Sequence, residues 1–81
     1  MKLSPFRLAR EKKGWSLARL SAEAFRIDKI VSAETLRRLE RQGPKKIAYG
    51  HVQAAAQLLT DSKAEAEALM AKAAAFNYDK E

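Results

Sequence analysis

The apolar positions of this chain recur at three- and four-residue intervals and nowhere alternate, a pattern that predicts helices and no strands. A Ser4-Pro5 start opens the first helix, residues 5–13: the serine oxygen can accept from an otherwise unpaired amide, and proline suits the first helical position. Phe6, Ala9 and Lys13 share a face of it, with Arg10 beside them. Gly14 ends it in the left-handed conformation that glycine accepts, and Trp15 folds back on the last turn. Ser16 caps a second helix, residues 17–25, with Leu17, Leu20 and Ala24 inward. The mixed, β-branched "RIDKIV" reads as an irregular connection. Ser32 caps a third helix, residues 33–42, with Leu36 and Leu39 inward, and Gly43-Pro44 stops it.

"KKIAYG" reads as a loop before a fourth helix, residues 51–59, that buries Val52, Ala55, Ala56 and Leu59. Ser62, with Glu65 three residues on, forms a capping box. It opens a fifth, alanine-rich helix, residues 63–76, whose apolar stripe is Ala66, Leu69, Met70, Ala73 and Phe76. The expected fold is all-α, one domain over residues 1–81.

Composition narrows the chemistry. With no cysteine there is no disulfide framework and no thiolate metal site, and a single histidine, His51, leaves little for zinc. His51 reads as a solvated helix-start residue. No run reaches the ~18 apolar residues that span a bilayer. "MKLSPFRLAREKKGW" has no apolar stretch behind its first lysine, so no signal peptide is read. A soluble, cytoplasmic protein without a membrane partner is expected. No grouping of acid, base and nucleophile suggests catalysis, so neither enzyme activity nor a cofactor nor a small-molecule ligand is expected.

Charge adds more. The net charge is +6, and residues 1–46 hold 13 Lys and Arg against 5 acids, whereas residues 47–81 hold 3 against 5. The basic excess therefore lies wholly in the first half, which points to an anionic partner there, nucleic acid or membrane surface. It is densest in "SAETLRRLERQGPKK", residues 32–46, with five cations and two acids.

Three blocks, "FRLAREKKGWSLARLS", "VSAETLRRLERQGP" and "HVQAAAQLL", run in that order from Phe6 to Leu59. In order and approximate spacing they resemble the lambda-repressor-like, or Xre-type, helix-turn-helix family. That resemblance implies a compact five-helix domain whose third helix enters the major groove of double-stranded DNA, in a transcriptional repressor or autoregulator. It implies an ion pair between Arg10 and Glu40, which can be bidentate and directional. It puts base-reading side chains at Arg38 first, then Glu34, Arg37 and Ala33. Arginine can take guanine O6 and N7 together, glutamate can accept from cytosine N4, and alanine can touch a thymine methyl. Backbone contacts are then expected from Ser16 and Arg19 on the second helix and from Ser32, Thr35 and Arg41. Lys45 and Lys46 follow in the next loop, where Tyr49 could donate as well.

The chain departs from the family pattern in places. Leu17 stands where the family commonly has a glutamine, and Gln42 adds a residue before the expected glycine. The 26–31 connection is longer than the tight glycine-containing turn of the motif and has no glycine. Either the second helix extends, or Ile27, Ile30 and Val31 tuck a loop against the core; Arg26 and Lys29 would then lie near the DNA. A homodimer is expected, with the fifth helix as the natural dimer element; its Leu69, Met70 and Phe76 could instead pack on helices one and four. The rival to a DNA-binding regulator is an interaction module of the same fold, antitoxin-like or an adaptor subunit, whose basic face meets an acidic protein.

Overall fold

The computed structural model describes residues 3–78, which form five helices and no strand. They are α1 (Pro5–Lys13), α2 (Leu17–Arg26), α3 (Ala33–Gln42), α4 (Tyr49–Leu59) and α5 (Lys63–Ala75). No helix among the described residues is long and apolar enough to cross a membrane.

Three serines start helices by the same device. The Oγ atoms of Ser16, Ser32 and Ser62 accept from the amides of Arg19, Thr35 and Glu65, each satisfying a donor that the first turn leaves unpaired. Glu65 returns the favour one residue further out than a standard capping box, accepting from the amide of Asp61 at 3.0 Å. Ser4 differs: its carbonyl accepts from Leu8, but its buried hydroxyl has no partner among the described residues. Pro5 therefore carries the start of α1 through its fixed φ.

The core takes Phe6 from α1, Leu20 and Ala24 from α2, and Leu36 and Leu39 from α3. Val52, Ala55, Ala56 and Leu59 of α4, Ala66, Leu69 and Ala73 of α5, and Val31 and Ile47 from the connections complete it. Ala54, Ala55 and Ala56 are buried in succession, so α4 is packed from several sides at once. It touches α5, α2 and α1, while α3 lies across α2 and α1. The apolar stripe of α5 thus packs within the chain, against α1 and α4.

Two local expectations change, and two details are added. Helix α4 starts at Tyr49, not at residue 51, because the Ala48 carbonyl already accepts from His51 and Val52, closing the turn over Gly50. Within the "KKIAYG" loop, Ile47 is buried and anchors the chain to the core. Helix α5 stops at Ala75; Phe76 is extended, at φ −68° and ψ 143°, and leaves the stripe. Gly43 ends α3 at φ 90° and ψ 178°, a region open essentially to glycine alone, and not in the left-handed helical region.

The connection between α2 and α3 does both things the sequence allowed, each in part. Helix α2 gains one residue, Arg26. Asp28 then takes φ 63°, so an aspartate does the work of the missing glycine, and the Lys29 amide donates back to the Ala24 carbonyl. Of the three apolar residues only Val31 is buried; Ile27 and Ile30 stay exposed. Ser21 Oγ donates to the Val31 carbonyl at 2.6 Å and ties the segment to α2 just before Ser32 opens α3.

Two glycines at positive φ make contrasting predictions. A Cβ on Gly14 meets open space, whereas a Cβ on Gly43 would lie 2.6 Å from Tyr78 Cε2. Gly14→Ala should cost about 1 kcal/mol. Gly43→Ala should cost about 2–3 kcal/mol, because the strained region and the collision add. Equal destabilisation of the two variants in chemical denaturation would contradict this assignment.

Candidate nucleic-acid interface

The orientation of α3 is set from its inner side. Leu36 and Leu39 insert into the core, and Glu40 beside them accepts from Arg10 of α1 through both carboxylate oxygens. Arg10 Nε reaches Oε2, and Nη2 reaches Oε1 at 3.1 Å. The third nitrogen, Nη1, donates to the Trp15 carbonyl at 2.8 Å, so the guanidinium also holds the turn after α1. The two side chains are only 13% and 7% exposed. The hydrogen bond to Glu40 raises the Arg10 pKa above its ordinary value against the opposing effect of burial, so the guanidinium stays charged.

With positions 36, 39 and 40 held inward, Glu34, Arg37, Arg38 and Arg41 fall outward at helical spacing, and all four are exposed. Glu34 and Arg37 approach to 3.9 Å, an exposed contact worth little and easily exchanged. Arg38, Arg41, Lys45 and Lys46 make no ion pair among the described residues. A shallow depression of about 200 Å³ is lined by Glu34, Arg37, Arg38, Arg41 and Gln42. Arg38 and Arg41 pass from it into a larger groove of about 600 Å³, where Lys45 and Lys46 join them opposite Phe76 and Tyr78. Six of the expected contact residues, Glu34, Arg37, Arg38, Arg41, Lys45 and Lys46, therefore border one continuous surface.

The remaining expected residues stand apart from both grooves. Ser32 Oγ donates to Thr35 Oγ1 at 3.0 Å as well as capping the Thr35 amide, so these hydroxyls occupy each other at the head of α3, with Ala33 half-buried between them. Ser16 caps α2 in the same way. Arg19 lies over the Trp15 ring, 5.0 Å from its centroid, and donates to Glu23 at 2.8 Å. Arg26 reaches the same carboxylate at 3.6 Å. Glu23 is accordingly held below the usual carboxylate range, first by the hydrogen bond from Arg19. Positive charge on α2 is thus compensated locally, whereas Arg38 and Arg41 of α3 and Lys45 and Lys46 of the following loop face outward with no ion pair among the described residues.

The chain matches no protein-family model, no curated protein and no solved structure. What the surface can do follows from its chemistry.

The aromatic wall is not legible from sequence reasoning. Helical spacing groups Phe76 with the α5 stripe and assigns Tyr78 nothing. An aromatic pair directly after an alanine-rich helix is the available signal, but which surface it covers depends on the tertiary fold. On α5 itself Leu69 is buried and Met70 half-buried, so what this helix leaves outside is a row of alanines, Ala64, Ala68, Ala71 and Ala75, flanked by exposed charged residues that include Glu67 and Lys72.

The Arg10–Glu40 pair can be tested alone. Glu40→Ala leaves the Arg10 guanidinium without its carboxylate and should lower stability by about 2–3 kcal/mol. That lies below the cost for a fully enclosed pair because Arg10 keeps some access to water. Replacing both partners, Arg10→Met with Glu40→Leu, should restore much of the stability. An unchanged denaturation midpoint for Glu40→Ala would show that the pair does not hold α3.

Proposed function

We propose that this chain is a sequence-specific, double-stranded-DNA-binding transcriptional regulator, a repressor or autoregulator of the helix-turn-helix type, that places α3 in the major groove. The observation that carries the reading is the grouping of Arg38, Arg41, Lys45 and Lys46, with no ion pair among the described residues, on one surface beside Glu34 and Arg37. A capped helix of ten residues fits the width of the groove. Arg38 takes guanine O6 and N7, Glu34 accepts from cytosine N4, Arg37 reads a neighbouring base, and Ala33 meets a thymine methyl. Ser32 and Thr35 at the head of α3, with Arg41, Lys45 and Lys46 towards and beyond its end, hold phosphates on either side. Ser16 and Arg19 at the start of α2 meet the backbone that this helix crosses, the exposed Arg19 exchanging the Glu23 carboxylate, which Arg26 also reaches, for a phosphate.

Glu34 favours DNA over the rival reading. A carboxylate amid the basic stripe repels an acidic protein, but within a major groove it meets a cytosine amino group away from the phosphates. Two copies reading half-sites about 34 Å apart would supply the affinity that one small domain lacks. The exposed alanine row of α5 offers an uncharged strip on which a second copy could pack.

Selection from random duplexes at fixed salt tests the reading. A motif should be enriched, and Arg38→Ala should weaken binding to it by about 1–3 kcal/mol and relax preference at one base position. Replacing Lys45 and Lys46 with alanine should weaken all sequences alike and reduce the salt slope by about 1 for each phosphate no longer neutralised. Selection that enriches no motif would overturn the proposal.

A further inference from the structure

The larger groove has features that a phosphate-contacting surface does not require. One wall is basic: Arg38 and Arg41 from the end of α3, and Lys45 and Lys46 from the loop after it. The other is aromatic. The Phe76 and Tyr78 rings meet edge to face, with centroids 4.8 Å apart and planes at 67°. Both rings are half-buried, so each keeps part of its surface open to the groove.

The aromatic wall is fixed in place. Tyr78 OH donates to the Ala73 carbonyl at 2.8 Å, one of the carbonyls that the last turn of α5 leaves without a helical partner. The same ring lies against the backbone of Gly43, so closely that any side chain there would collide with it. Burial raises the Tyr78 pKa, which keeps the phenol neutral and donating. No carboxylate among the described residues lines the groove. Its volume of about 600 Å³ falls within the usual range for small-molecule sites.

We propose that this groove binds a free mononucleotide, with the phosphate held by Lys45, Lys46 and Arg41 and the base against the rings of Phe76 and Tyr78. The ligand class follows from the two walls together. Inorganic phosphate would leave the aromatic wall unused, and an uncharged aromatic compound would leave four cations unpartnered. A nucleoside monophosphate satisfies both, since every base offers a π-face to an aromatic ring or a guanidinium. Arg38 and Arg41 also border the outward face of α3, so an occupied groove competes with a duplex there. Only this competition rests on the DNA-binding reading; the ligand site does not.

The test titrates the full chain, isotopically labelled for NMR, with adenosine and guanosine 5′-monophosphates, then with adenosine and with inorganic phosphate at constant ionic strength. The monophosphates should shift the resonances of Gly43, Phe76 and Tyr78 saturably and bind about tenfold or more tighter than either fragment. Phe76→Ala and Lys45→Ala should each weaken binding several-fold. Phe76→Leu, which keeps apolar bulk without the ring, should do the same if the alanine variant fails to fold. Phosphate that matches the monophosphates in affinity, or shifts that spare Gly43, Phe76 and Tyr78, would overturn the proposal. Monophosphate binding of the expected kind in a protein that binds no duplex would support the site while removing the competition.

Discussion

The bidentate contact between Arg10 and Glu40 is the constraint on which the outward face of the molecule depends. Its net contribution to stability is modest, because each charge gives up hydration on burial and the attraction between the two offsets that loss. Its geometric content is larger. A planar guanidinium meeting a planar carboxylate through two parallel hydrogen bonds allows one relative orientation. Since helix positions advance by about 100° per residue, holding Glu40 against α1 decides which side chains point away from it. Leu36 and Leu39 supply the burial that attaches α3, but leucines tolerate small rotations that the ion pair does not. Through Nη1 the same guanidinium also secures the Trp15 carbonyl, so one side chain fixes both the end of α1 and the rotation of α3.

A second element settles the entry of the chain into α3. Asp28 reverses the chain in a conformation usually left to glycine, Val31 inserts into the core, and Ser21 holds the Val31 carbonyl. Ser32 follows directly and caps the helix. The longer connection therefore delivers α3 as definitely as a short turn would, by three contacts instead of by brevity. It also leaves Ile27 and Ile30 in solvent, which is unusual for two isoleucines so close together. Charge is organised by the same frame. Glu23 gathers Arg19 and Arg26 on α2, Glu11 takes Arg7 on α1, and Glu40 takes Arg10 between helices. Arg38, Arg41, Lys45 and Lys46 are left without an ion pair among the described residues, as a surface open to an external anion.

Much of the helical framework is legible in the sequence because its determinants are local. Ser16, Ser32 and Ser62 cap within three residues of themselves, Gly14 acts within one turn, and the leucines of α3 repeat at helical spacing. The features that escape depend on distant parts of the chain. Nothing near Ile30 distinguishes it from Val31, yet one is exposed and the other buried. The start of α4 shifts because the buried Ile47 brings the loop into the core. Gly43 reads as an ordinary helix terminator, and its further role, admitting the Tyr78 ring, joins residues 35 apart in sequence. The contact between Arg10 and Glu40 spans 30 residues. No spacing rule yields such a pairing; it comes from resemblance to a family, and the geometry describes the contact without establishing that kinship.

If the face held outward by this framework reads duplex DNA, a tightly bound duplex must protect that face and no other. Cross-saturation from the DNA to the labelled chain maps the protected surface most directly. Saturation is expected at Ala33, Glu34, Arg37 and Arg38, extending to the loop at Lys45 and Lys46, and none along the alanine row of α5. Saturation centred on Phe25 and Ile30, or confined to the lysines with α3 untouched, would contradict it.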